Sequence, residues 1–293
     1  MLRLGLSPLA TTISTVGAAP MIAGIRLRGG NAGSGRGAGS MVTEAINTAR
    51  AAGASGTVMV RGDSAFGSWA VIGAALAADA EFSVVMAKTR PVARAIGTID
   101  EDAWRPVRYP GAVQDPDTGA WISDAEVAEV PYTAFARSSH PVTARLIVRR
   151  VRDVNTQDAL FPAWRYHPFL TNNTEPADQA DITHRRHAVV ETTFADLISG
   201  PLAHLPSGKF GANSAWAICA AITHNLLRAV GALAGGACRN ARGATLRTRI
   251  VNVPARLARP QRRPVLHLPA HWPWARAFTR LAAALTHGPP IPA

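Results

Sequence analysis

Apolar and polar positions divide this chain into three stretches of different periodicity. In the first, strand-length apolar runs alternate with helical patterns. Met21 to Leu27 (MIAGIRL) predicts a strand, GGNAGSGRGAGS a flexible loop, Met41 to Ala52 a helix and Thr57 to Val60 a second strand. A helix over Ser68 to Ala78 and a strand over Phe82 to Met86 continue the series, which is that of an α/β sheet. From about Pro91 the pattern changes. Trp104, Tyr109, Trp121, Tyr132 and Phe135, the alternating TARLIVRRV (Thr143 to Val151) and the segment Trp164 to Leu170 predict short strands, with turns such as DPDTGAW between them. From about Ala177 helices return, first within residues 182–206 and then over Trp216 to Leu233.

The helix within 182–206 organises the rest. Its spacing places His184, His187 and Glu191 on one face and Val190, Phe194 and Leu197 on an apolar stripe. A polar face of this kind is either simply solvated or a metal site in which Glu191, with His184 and His187, supplies ligands. Asp63 follows the apolar run TVMV and so falls at the carboxyl end of a buried strand, where open α/β sheets place their chemistry. Its alternative role is to cap a helix that begins near Ser68. The glycine-rich loop matches neither the dinucleotide fingerprint nor a phosphate loop, which requires Gly-Lys-Ser/Thr.

Charge adds a direction. The 293 residues hold 31 basic and 19 acidic side chains, and the only lysines are Lys88 and Lys209. No Asp or Glu follows Asp196, so the net charge of +12 lies in the last third, while the first 196 residues sum to zero. Such an extension repels itself unless it meets a polyanion, and nucleic acid fits best. Its prolines (Pro254, Pro260, Pro264, Pro269, Pro273) argue against a basic amphipathic helix on a membrane surface.

Three further features narrow the class. Cys219 and Cys238, in apolar or small-residue surroundings, predict buried free thiols in a reducing compartment. Ser7, Pro8, Thr11, Thr12, Ser14 and Thr15 interrupt the first apolar segment and argue against a signal peptide. His224, Asn225 and Arg228 within the run Ala215 to Leu233 predict a core helix and not a membrane span.

The segments RLRGGNAGSGRGA, VMVRGDSAFGS, DAWRPVRYP, WISDAEVAEVPYTAF, ARLIVRRV, HRRHAVVETTFADL, GPLAHLPSGKFGAN and NVPARLAR, in this order over nearly the whole chain, carry a resemblance. Together the chain resembles insertion-sequence transposases with a group 1 DDE domain, of an IS4-like superfamily. The resemblance implies an α/β fold with an RNase H-like core interrupted by a β-rich insertion and followed by a basic C-terminal extension. It divides the chain into 1–90 (first part of the core), 91–176 (insertion), 177–240 (rest of the core, with the Glu helix) and 241–293 (extension). Asp63 falls on the family's second Asp and Glu191 on its Glu. These two imply a site for Mg²⁺ or Mn²⁺, two ions in the family, within roughly 4–8 Å of each other. The implied partner is double-stranded DNA at terminal inverted repeats, held by His184, His187, Lys209, Arg247, Arg249, Arg256, Arg259, Arg262 and Arg263. A homodimer in the transposition complex and a cytoplasmic, nucleoid-associated location accompany that reading.

The chain also departs from the pattern. No Asp precedes Asp63, and the only earlier acid is Glu44 on the first helix. In related elements a Tyr, an Arg and a Lys flank the Glu where His184, His187 and Ile198 stand here. The expectation is therefore a copy truncated before its first catalytic strand and inactive on its own. A DNA-binding remnant without catalysis and a metal-dependent hydrolase built on His184, His187 and Glu191 are the alternative readings.

Overall fold

The structure is a computed structural model that describes residues 5–107, 125–152, 164–186 and 189–287. In chain order it forms β1 (Leu9–Thr15), β2 (Ala18–Arg26), α1 (Ala38–Ala51), β3 (Met59–Gly62), α2 (Trp69–Ala77), β4 (Glu81–Val85), α3 (Arg90–Ile96) and β5 (Arg105–Val107). There follow β6 (Ala125–Ala134), β7 (Val142–Arg152), β8 (Trp164–Thr171), α4 (Ala177–Arg185), α5 (Val189–Ile198) and α6 (Phe210–Ala234). The last elements are α7 (Gly243–Leu246), β9 (Arg256–Ala258), β10 (Val265–His267) and α8 (Ala275–His287). They divide into two compact units, Ala32–Ala188 and Met1–Asn31 with Val189–Ala293.

The unit 32–188 is built on a mixed six-stranded sheet in the order β3-β4-β8-β7-β6-β5. Its β3 and β4 run parallel, joined through α2, and every other pair is antiparallel. The apolar runs explain the centre: Phe82, Val84, Leu146, Ile147, Phe169 and Leu170 are all at most 1% exposed. Burial of each such side chain stabilises the fold by about 1.5–3 kcal/mol. α4 covers the Ile147 and Phe169 face through Ala177 and Ala180. The two helices α1 and α2 cross closely at Gly39, where a Cβ would lie 2.4 Å from the Ala70 carbonyl oxygen. Gly37, in the left-handed region at φ 80°, starts α1 out of the glycine-rich loop.

The strands read as a separate insertion are hydrogen-bonded into the same sheet as β3 and β4, with Val85 opposite Phe169. The reason is in β8, whose half Pro168–Thr171 is buried throughout and so needs cover on both faces.

In the other unit β1 and β2 form an antiparallel hairpin with register shifts at Thr11/Thr12 and Ile13/Thr15. The sequence pattern predicts β2 as the first strand of a βαβ unit, but its partner is β1, and β3 pairs with β4. β1 escapes the apolar pattern because threonines supply its β-branched positions. The side chain of Asn225 on α6 clamps β2: its Oδ1 accepts from Ile22 N at 2.8 Å and its Nδ2 donates to Ile22 O at 2.8 Å. Ile22, Leu197, Ala220 and Ala221 form one core cluster, and Ala234, Cys238, Leu246, Ile250 and Leu281 a second that holds α8.

α6 is long and apolar enough to cross a membrane, the only such helix among the described residues. It buries Asn213, His224 and Arg228 on one side and exposes Ile218, Ile222 and Leu226 on the other. Cys238 is buried as the sequence predicts, but Cys219 is exposed, because it falls on the outer side of α6.

Candidate active site and nucleic-acid surface

Asp63 stands where the apolar run of β3 ends. It caps a short 3-10 turn, Ser64–Phe66, and its Oδ1 accepts from Ala65 N at 2.8 Å. The side chain is therefore a cap, as the alternative reading has it, but of this turn and not of α2. It is exposed, and among the described residues its Oδ2 makes no hydrogen bond and no cation pairs with it. One anionic oxygen is thus fixed by the backbone and the other is open.

Glu191 lies in the first turn of α5, exposed and, among the described residues, without an ion-pair partner. Thr193 and Leu197 on the buried side of that helix turn Glu191 outward. Two residues past Phe194, Asp196 anchors α5. Its Oδ1 takes a hydrogen bond from Arg242 Nε at 2.5 Å and its Oδ2 one from Gly243 N at 3.1 Å, while Arg228 Nη2 lies 3.8 Å from Oδ2. Burial depresses the pKa of Arg228, the Asp196 charge opposes that shift, and Arg242 adds to it. The sequence pattern does not reveal Asp196, since its partners come from α6 and the turn before α7.

His184 belongs to the unit of Asp63. It is buried, its ring stacks on Phe169 at 4.1 Å between centres, and its Nδ1 is hydrogen-bonded to Ser83 Oγ at 2.8 Å. It serves the contact of α4 with the sheet. Next to it, Arg61 donates to the Thr183 carbonyl at 2.9 Å, with its pKa lowered by burial and by the neighbouring Arg186 charge. His187 lies outside the described residues. Among the described residues no cluster of three His, Cys, Asp or Glu side chains forms a metal cage.

The cations of the extension are on the surface. Lys209, at the start of α6, and Arg247 are exposed. Arg249 is half-buried, its guanidinium 5.4 Å from the ring centre of Trp274. Arg256 sits on β9 and Arg259, Arg262 and Arg263 in the turn to β10, all exposed on one small antiparallel hairpin. Among the described residues, the cations of this part of the sequence with carboxylate partners are Arg228 and Arg242, both through Asp196.

The match to known proteins agrees with this chemistry. The family model for the transposase DDE domain, group 1, matches residues 16–290. The chain belongs to that family. Transposition of DNA is thus its family function, and divalent metal is the family's usual cofactor. None of the curated proteins compared with the chain matches it.

Proposed function

We propose that this chain is part of the catalytic domain of an insertion-sequence transposase and that Asp63 and Glu191 are its second and third catalytic carboxylates. The observation that carries the reading is that each is exposed and, among the described residues, without a counter-cation in a chain with excess arginine. Four other carboxylates are matched by arginine: Asp196 by Arg228 and Arg242, Glu129 by Arg145, and Glu101 and Glu126 by Arg150. Carboxylate oxygens are the ligands a hard divalent cation selects, so both side chains fit Mg²⁺ or Mn²⁺. When bound, such an ion activates the attacking oxygen or stabilises the leaving oxygen of the phosphodiester. What the chain itself supplies is anionic oxygen at two positions and cationic grip on the DNA backbone from Lys209 and the arginines of residues 241–293.

The RNase H-like core is supported by the β3-α2-β4 unit with Asp63 at its carboxyl end and by the helix that presents Glu191. In such a core a further strand bears the first Asp. Among the described residues β3 pairs only with β4, and β1 only with β2, so each leaves one edge for that strand. The sequence holds no Asp before Asp63. The chain therefore provides two carboxylates of three, and a lost ligand costs several kcal/mol of barrier, or orders of magnitude in rate.

The test is cleavage and joining of element-end DNA with Mg²⁺ or Mn²⁺. This chain alone should give no turnover. A version extended by an Asp-bearing strand encoded upstream should cut, and Asp63→Ala or Glu191→Ala should abolish that activity. Cutting that survives both substitutions overturns the assignment.

A further inference from the structure

The neutral charge sum of the first 196 residues hides a segregation that only strand register reveals. On β7, Arg145 is matched by Glu129 and Arg150 by Glu101 and Glu126. Arg150 is also 4.3 Å from the ring centres of both Trp104 and Trp164, so it is fully committed. Arg149 points to the face opposite Arg150, the face that carries Ile147 and Phe169. Its cross-strand partner is His167 of β8, and among the described residues neither Arg149 nor Lys88, just past β4, has a carboxylate partner. Arg165 and Arg185 add their charge at the same place.

Four cationic side chains acting on one histidine, Arg149 directly across the ladder from it, are the pattern of a surface for an anionic ligand. Burial and the charges of Arg149, Lys88, Arg165 and Arg185 all push the His167 pKa down, in agreement with a concentrated positive field. These are the charged groups that face His167 from β7, from the segment after β4, from its own strand and from α4.

Register also fixes where the group lies relative to Asp63. Gly62 is opposite Val84 and Val85 opposite Phe169, and Met86 N donates to Pro168 O at 3.0 Å. His167 is therefore two strands across from Asp63 and two residues further toward the carboxyl end of the parallel pair. At usual strand spacings the backbones are roughly 12 Å apart. That span is about three or four nucleotide steps at a rise of about 3.4 Å per step on one strand.

We propose that Lys88, Arg149 and His167, with Arg165 and Arg185 beside them, form a second duplex-DNA surface, distinct from the extension, that leads the phosphate backbone to Asp63. The inference rests on the transposase reading for its choice of partner and on the sheet geometry for its position.

The experiment uses the full chain with a short duplex, by anisotropy across a salt series and by NMR titration of the His167 ring with and without DNA. In Lys88→Ala/Arg149→Ala the log–log salt slope should become shallower by about 2, since each phosphate contact contributes about 0.9. Lys88→Arg/Arg149→Lys should keep the slope. In the wild type, bound DNA should raise the His167 pKa, so affinity should fall as pH rises through the window between its free and bound values. An unchanged slope with an unmoved His167 while DNA is bound overturns the surface and leaves the transposase reading intact. A defect of the alanine variant toward anionic phospholipid vesicles alone, with duplex binding unchanged, also overturns it. No duplex binding by the wild type removes the reading on which the inference rests.

Discussion

The Asp196 carboxylate lies 3.8 Å from the Arg228 guanidinium, with side chains only 7% and 5% exposed, on the same helix as Glu191. Arg228 donates to the Ala241 carbonyl at 2.7 Å through Nη1, and its Nε and Nη2 make no hydrogen bond. Asp196 is thus what balances a buried guanidinium. Asp196→Asn keeps the shape and removes the charge. Loss of one partner of a buried pair costs about 3–5 kcal/mol, so the urea midpoint should fall by the corresponding amount. A loss below about 1 kcal/mol would show that the exposed contact with Arg242 carries little and that Arg228 is neutralised otherwise.

Acid should weaken the hairpin contact through His224. Its Nε2 lies 3.2 Å from the Pro20 carbonyl oxygen, and burial lowers its pKa, with Arg228 acting in the same direction against that hydrogen bond and Asp196. A histidine whose folded pKa lies below its unfolded value binds its proton first in the unfolded state. Its stabilising contribution is complete above about pH 7 and is lost as pH falls from about 6.5 toward the folded value. His224→Gln keeps a donor for Pro20 without a titration in this range. The stability difference between wild type and variant should therefore shift in favour of the variant between pH 7 and pH 5. Parallel profiles would contradict the assignment.

The arginines of the β9–β10 hairpin should contribute separately to DNA affinity. Arg256, Arg259, Arg262 and Arg263 are all exposed. Substitution of all four by Gln should make the log–log salt slope for duplex shallower by about 3–4. The thermal midpoint should hardly move, because none of the four is in the core. An unchanged slope would show that the hairpin does not touch DNA.

Much of the fold was legible because it is local. The runs around Val84 and Phe169 mark buried strands, whereas the run around Val60, read as buried, is a half-buried edge strand; Asp63 at its end is visible as a strand-end carboxylate. The cap that Asp63 makes on Ser64–Phe66 follows from the same local chain. What the sequence conceals is register and face. Arg149 and Arg150 are neighbours in sequence, yet pleating sends one to two carboxylates and the other to a field of cations. His184 looks like a surface histidine by helical spacing, and only the placement of α4 on β8 buries it against Phe169. Asp196 and Arg228 are far apart in sequence, and no periodicity joins them. β1 was hidden by its threonines, although the same residues favour a strand.

The proposal that Asp63 and Glu191 are both ligands of catalytic divalent metal is tested most directly with iron in its place. Fe²⁺ bound to the purified chain with duplex DNA, then given ascorbate and peroxide, cuts the polypeptide beside its own ligands. The account predicts backbone cuts next to both Asp63 and Glu191, suppressed by excess Mg²⁺, with the cuts at Asp63 lost in Asp63→Ala and those at Glu191 lost in Glu191→Ala. Cuts beside only one of them, or cuts that persist where the carboxylate is removed, would contradict it.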